Sequence, residues 1–122
     1  MASIAAPLDD KAPTWTFLSN HAHVLVCVAR DPQIRLRDVA YHVGITERGV
    51  TRIVGELEEA GVLSRTREGR RNHYQVNPSA KLRHPVEAGH SVGELLQTLL
   101  APEEMERLSL ASRSRKRHRR MP

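Results

Sequence analysis

The run from Leu36 to Ile53 restricts this chain more than any other stretch, because it brings two short helices together at one tight turn. Gly44 stands where such a turn needs a positive φ, which other residues adopt only at a cost. Ala40, four residues earlier, is small enough to let the crossing backbones approach. Val39, Val43, Ile45, Val50 and Ile53 fall on the inward sides of the two helices, with polar residues between them. Thr46 follows the turn where a cap is needed, its hydroxyl accepting a backbone N–H that the second helix leaves unpaired. The plain alternative is an αα-hairpin, and the sequence on either side decides between the two.

Upstream, Ser19 or Asn20 can cap a helix running to about Arg30. Asp31-Pro32 ends it, since the residue before a proline is steered out of the α region. Its buried stripe is expected to be Leu18, Ala22, Leu25, Val28 and Ala29, with His21 and His23 as surface or boundary residues beside it. Gln33 to Leu36 reads as a short extended segment leading into the first helix of the pair, Arg37 to Val43. The second helix runs from Glu47 to about Ala60, with Gly61 as its stop. Val62 to Arg67 and Arg71 to Val76 are extended runs around Glu68-Gly69-Arg70, a hairpin with glycine at its tip. Asn77-Pro78 ends the hairpin, and Ser79 to Gly89 holds too many breakers for an assignment. Ser91 and Glu94 then make a capping box. Behind it, Val92, Leu95, Leu96, Leu99 and Leu100 form a single apolar stripe, and Pro102 can open a further helix, Glu103 to Leu110.

Helix, extended segment, helix, helix, hairpin is the order of a winged helix-turn-helix domain. Ile34 to Val76 resembles the DNA-binding domain of MarR/ArsR-type transcriptional regulators, with Ala40, Gly44 and Val50 at that pattern's small, glycine and buried positions. The expected fold class is mainly α with a small β-hairpin (α+β): a three-helix core, a wing and a C-terminal helix. The chain then divides into a leader over 1–15, the winged domain over 16–78, a linker and C-terminal helices over 79–111, and a basic tail over 112–122. The resemblance implies binding to double-stranded DNA as a homodimer, two recognition helices reading half-sites about one turn apart, with repression as the outcome. The stripe Val92, Leu95, Leu96, Leu99 and Leu100 is expected to seal that dimer, the alternative being that its helix folds back on its own chain.

On the second helix of the pair, Val50, Ile53, Val54 and Leu57 define the inner side, so Arg48, Thr51, Arg52 and Gly55 face outward. Both arginines lie in its first half, while Glu56, Glu58 and Glu59 crowd the second. The N-terminal half is therefore expected to enter the major groove and the acidic half to tilt away from phosphates. Arg48 and Arg52 offer bidentate forks to guanine edges. Glu47 can accept from a cytosine amino group or orient Arg48, Thr51 suits a thymine methyl or a phosphate, and Thr46 leaves N–H groups near a phosphate. Gly55, costly in a helix by about 1 kcal/mol relative to alanine, marks a close approach of the DNA backbone. The hairpin gathers Arg65, Arg67, Arg70, Arg71, Asn72 and His73, and the resemblance implies that Arg70 and Arg71 first of all reach the minor groove or flanking phosphates. Tyr74 and Val76 are expected to anchor the strand inward, and Arg35 and Arg37 are candidate phosphate contacts.

Charge needs dissecting before it says anything about partners. The net +5 arises in the last ten residues, where Arg113, Arg115, Lys116, Arg117, Arg119 and Arg120 give +6. The rest of the chain is close to neutral, so the tail either adds non-specific DNA affinity or is a solvated end. Cys27 is the only cysteine, which excludes an internal disulfide and a thiolate zinc pair. It reads as a small buried hydrophobe. His84, Glu87 and His90 are the one candidate metal or effector cluster, on a loop poorly suited to hold ligands, and no metal or cofactor is expected. A small-molecule effector, if there is one, is unknown. There is no nucleophile-elbow pattern and no phosphate-cradling glycine loop, so no enzyme is expected. No apolar run approaches the roughly 20 residues of a membrane span, and Met1 to Pro13 lacks a signal-peptide pattern, which points to the cytoplasm. The reading from another class is a winged-helix protein-interaction module whose tail supplies non-specific nucleic-acid affinity.

Overall fold

In the computed structural model, residues 13–108 are described. The first regular element, α1 (Asn20–Arg30), begins after Ser19 and ends at Asp31 in extended conformation, as the Asp-Pro pair requires. Ser19 caps it without a side-chain hydrogen bond. Leu25, Val28 and Ala29 are buried as the spacing predicts, Leu18 and Ala22 are half-buried, and the buried face is wider than expected, taking in Val24 and Cys27. Burial also raises the Cys27 thiol pKa, against a smaller opposing pull from Arg30.

After a loop, α2 (Leu36–Val43) closes on Gly44, whose φ of 86° and ψ of 32° place it in the left-handed region. That conformation turns the chain directly into α3 (Glu47–Glu59). Thr46 caps α3 as expected, the Gly49 N–H donating to Thr46 Oγ1 at 3.0 Å. A Cβ on Gly49 would lie only 3.2 Å from that hydroxyl, so glycine keeps the cap uncrowded. Gly61, at φ 80°, ends the helical stretch. The extended segment expected over Gln33 to Leu36 forms no strand, because Leu36 already opens α2. Just before it, Pro32 O accepts the Tyr74 N–H at 2.8 Å, which ties the loop to the hairpin.

The hairpin is β1 (Leu63–Glu68) and β2 (Arg71–Val76), antiparallel, with Leu63 opposite Val76, Arg65 opposite Tyr74 and Arg67 opposite Asn72. Opposed residues share a face, so Leu63, Tyr74 and Val76 point to the core, and Arg65, Arg67 and Asn72 continue that face outward. Tyr74 and Val76 are buried as the sequence suggests.

Past Asn77, the chain doubles back through a short 3-10 turn, Pro85–Glu87, and an isolated bridge between Lys81 and Ser91. This delivers α4 (Val92–Leu99), opened by the expected Ser91/Glu94 capping box. Gly93 fits where nothing larger would, since a Cβ there would stand 2.9 Å from Pro78 O. A last helical segment, α5, spans 102–108. Arg30 fastens both to α1: Nη2 donates to Leu99 O at 3.3 Å, and Nε lies 3.5 Å from Glu104 Oε1.

The core is one cluster that takes in α1 to α4 and both strands of the hairpin. Ile53 (2% exposed) and Leu96 (0%) are the largest side chains at its centre, each stabilising the fold by about 1.5–3 kcal/mol through burial. This corrects one expectation. Of the five residues assigned to a dimer seam, Val92, Leu96 and Leu100 are buried inside their own chain, and only Leu95 and Leu99 stay half-buried. The helix folds back because the bonds from Val92 N–H to Ala80 O and from Gly93 N–H to Pro78 O aim its stripe at the core. The leader up to residue 12 and the arginine-rich tail lie outside the described residues.

Candidate nucleic-acid interface

The inner side of α3 is sealed by Val50, Ile53, Val54 and Leu57. That leaves Glu47, Arg48, Thr51, Arg52 and Gly55 exposed, as the helical spacing predicts. The two arginines differ in how they are held. Arg48 has no carboxylate partner among the described residues and lies exposed in the first turn of α3, two residues after the Thr46 cap. Arg52 is paired along its own helix with Glu56, Nη1 lying 3.2 Å from Oε2 and 3.4 Å from Oε1. Glu56 is also hydrogen-bonded to His21 of α1, Nε2 to Oε1 at 2.7 Å. That bond, then the charge and hydrogen bond of Arg52, hold the Glu56 carboxyl below the usual carboxylate range against some desolvation. Thr51, exposed, donates its hydroxyl back along the helix to Glu47 O at 3.1 Å.

Gly55 faces open space, with no atom within 4 Å of where a Cβ would sit. Alanine there is expected to raise stability by about 1 kcal/mol, since glycine in a helix interior costs about that much. Thermal unfolding of Gly55→Ala checks this. A higher midpoint together with weaker DNA binding places the DNA backbone against this residue, and unchanged binding removes it from the interface.

The hairpin's basic residues separate into held and free. Arg65 Nε lies 3.0 Å from Glu58 Oε2, so this side chain ties β1 to the C-terminal half of α3. Arg67 Nη1 reaches Asn72 Oδ1 at 3.4 Å across the strands, and Asn72 is half-buried. Arg71 Nη1 donates to Gln33 O at 2.9 Å, while Gln33 Nε2 donates to Glu68 Oε1 at 3.1 Å. His73 is half-buried, with Nδ1 3.7 Å from the same Glu68 oxygen. Arg70, beside the glycine of the tip, is exposed and has no ion-pair partner among the described residues. Arg35 and Arg37 are exposed at the start of α2, likewise unpaired among the described residues. Among the arginines expected at the interface, those without an ion pair or side-chain hydrogen bond among the described residues are thus Arg35, Arg37, Arg48 and Arg70, and Arg52 is restrained by a carboxylate of its own helix.

His21, Gln33, Glu56 and Glu58 carry parts of this network that the sequence reading did not assign. The Arg52 and Glu56 pair was available from their spacing, since residues four apart on a helix are neighbours. The other partners come from different elements, and only the fold brings them in. His84 and Glu87 form the capping box of the 3-10 turn, His84 Nδ1 accepting the Val86 N–H and Glu87 Oε1 the His84 N–H, while His90 Nδ1 lies 3.4 Å from Glu94 Oε1. Among the described residues no helix is long and apolar enough to cross a membrane.

Comparison with known proteins finds a family that the motif matches. Residues 20–64 match the winged helix-turn-helix DNA-binding family, a span running from the first residue of α1 into β1. The chain has no match among curated proteins. Two solved structures are similar to it. One is the crystal structure of the zinc-dependent MarR family transcriptional regulator AdcR in its Zn(II)-bound state, at 16% identity and a TM-score of 0.42, covering 84% of this chain and 75% of that one. The other is a mutant of Lactococcus lactis ZitR, at 20% identity and a TM-score of 0.45, covering 92% of this chain and 82% of that one.

Proposed function

We propose that this chain, whose residues 20–64 match the winged helix-turn-helix DNA-binding family, is a transcriptional repressor that binds one duplex sequence as a homodimer. The N-terminal half of α3 enters the major groove, and the hairpin lies on the flanking backbone or minor groove. Arg48 carries the reading: an exposed guanidinium on the first turn of a capped helix, with no carboxylate to satisfy it among the described residues. Such a fork is complementary to the O6 and N7 of guanine. Thr51, Arg52 and Glu47 supply neighbouring contacts, while Thr46, Arg35 and Arg37 lie on phosphates. Arg67 and Arg70 lead from the hairpin, with Arg65, Arg71, Asn72 and His73 holding its shape as well as adding charge.

The second copy is proposed to sit on what the core leaves uncovered. Leu95 and Leu99 are half-buried on α4, and Trp15 and Phe17 are exposed, stacked edge to face with centroids 5.0 Å apart. Two domains related by a twofold axis then read half-sites about one helical turn apart.

Selection of duplexes from a randomised pool tests the proposal. Enrichment of a palindromic sequence with half-sites about 10 base pairs apart supports it, and failure to enrich any sequence favours a protein-interaction module. On the selected duplex, Arg70→Ala is expected to weaken binding to all sequences alike and to reduce the log-log salt slope by about 0.9, the value for one phosphate contact. Arg71→Ala is expected to change that slope less, because one of its nitrogens already serves Gln33 O. Titrations at several salt concentrations separate the two.

A further inference from the structure

We propose that Glu56 is a positioning residue for DNA recognition: it restrains Arg52 on the free protein, and the protonation state of His21 sets the strength of that restraint. The inference rests on the reading above, in which Arg52 touches a base. In the free chain the Arg52 guanidinium lies back along α3, with Nη1 3.2 Å from Glu56 Oε2. A side chain folded toward the C-terminal half of the helix does not extend to a base, so binding requires this pair to open. Glu56 then keeps a single partner, His21 Nε2 at 2.7 Å, on a different helix.

The two partners compete for one carboxylate. A neutral His21 gives Glu56 a hydrogen bond and no charge, so Arg52 remains its only cation. A protonated His21 supplies that cation itself, and Arg52 is released at smaller cost. Opening the Arg52 pair on DNA leaves Glu56 to His21, so the complex takes up a proton at this pair more readily than the free protein does. By linkage, affinity must then rise as pH falls through the range where imidazoles protonate. The other charged groups around the pair are Glu59 on α3 and Lys81, Arg83 and Glu87 on the segment after the hairpin. All of them line the same groove of about 820 Å³, in which His21 and Glu56 form part of the wall. None of these four makes an ion pair with His21 or Glu56. The ring and the carboxylate are each a little under half exposed, 43% and 44%, so both are in contact with solvent.

The test is a mutant cycle read by fluorescence anisotropy on a duplex selected by the wild-type full chain. Glu56→Gln is expected to tighten binding about two- to fivefold, the range of an exposed ion pair, and to leave affinity unchanged when Arg52 is already alanine. Equal tightening in both backgrounds would mean that Glu56 only repels phosphates, and overturns the proposal. His21→Gln keeps a hydrogen-bond donor without a titrating charge. It is expected to remove an about two- to fivefold gain in affinity between pH 8 and pH 5.5, and that gain is likewise expected to be missing in Arg52→Ala. A pH dependence undiminished in His21→Gln overturns the role of His21. If Arg52→Ala alone leaves affinity intact, the failure belongs to the base-contact reading and not to the restraint.

Discussion

Replacing Arg48 and Arg52 together by alanine is expected to abolish the preference of the chain for its selected duplex while leaving its fold untouched. Each bidentate contact to a guanine is worth roughly 1–3 kcal/mol of discrimination, so the pair together accounts for most of a sequence preference. Both side chains are exposed on α3 and neither contributes to the core, so the unfolding transition should stay where it is. The single variants should be unequal. Arg48 has nothing to give up, whereas Arg52 must first leave Glu56, so Arg48→Ala is expected to cost more than Arg52→Ala. Binding isotherms on selected and scrambled duplexes measure this. A double variant that still prefers the selected duplex removes α3 as the reading element.

Leu96→Ala is expected to have the largest effect on stability, a loss of about 2–5 kcal/mol. Leu96 is fully buried, in the same cluster as Val28, Val39 and Ile53, and its removal leaves a cavity at the point where α4 docks. Small domains are stable by only about 5–15 kcal/mol, so this substitution brings the chain close to unfolding. Leu95→Ala, half-buried on the same helix, should cost much less. Denaturant titrations at two protein concentrations add a second readout. A loss independent of concentration places Leu96 within one chain, and a loss seen only on dilution would place it between copies.

What the sequence made legible was mostly local chemistry. Gly44 and Thr46 located the turn between α2 and α3 because each has a backbone requirement few other residues meet, and the Ser91/Glu94 box located α4 for the same reason. Periodicity gave the stripe on α4 but not what covers it. A stripe that faces its own core and one that faces a second copy have the same spacing, and only the path of 78–93 aims it inward. In α1 the spacing finds Leu25, Val28 and Ala29 but not Val24 and Cys27, because the helix is packed on a wider face than a single stripe. The outward face of α3 was legible from the spacing of Val50, Ile53, Val54 and Leu57. Which arginines are free was not, since the partners of Arg65 and Arg71, and the His21 that shares Glu56, lie on other elements.

The central claim is that the first half of α3 reads guanines from the major groove. Methylation interference on the selected duplex tests it most directly, because a methyl group on guanine N7 blocks the acceptor that an arginine fork uses. The expected result is loss of binding when specific guanines in each half-site are methylated, with the interference at one of them disappearing in Arg48→Ala. Binding that tolerates N7 methylation at every guanine of the site would contradict the claim.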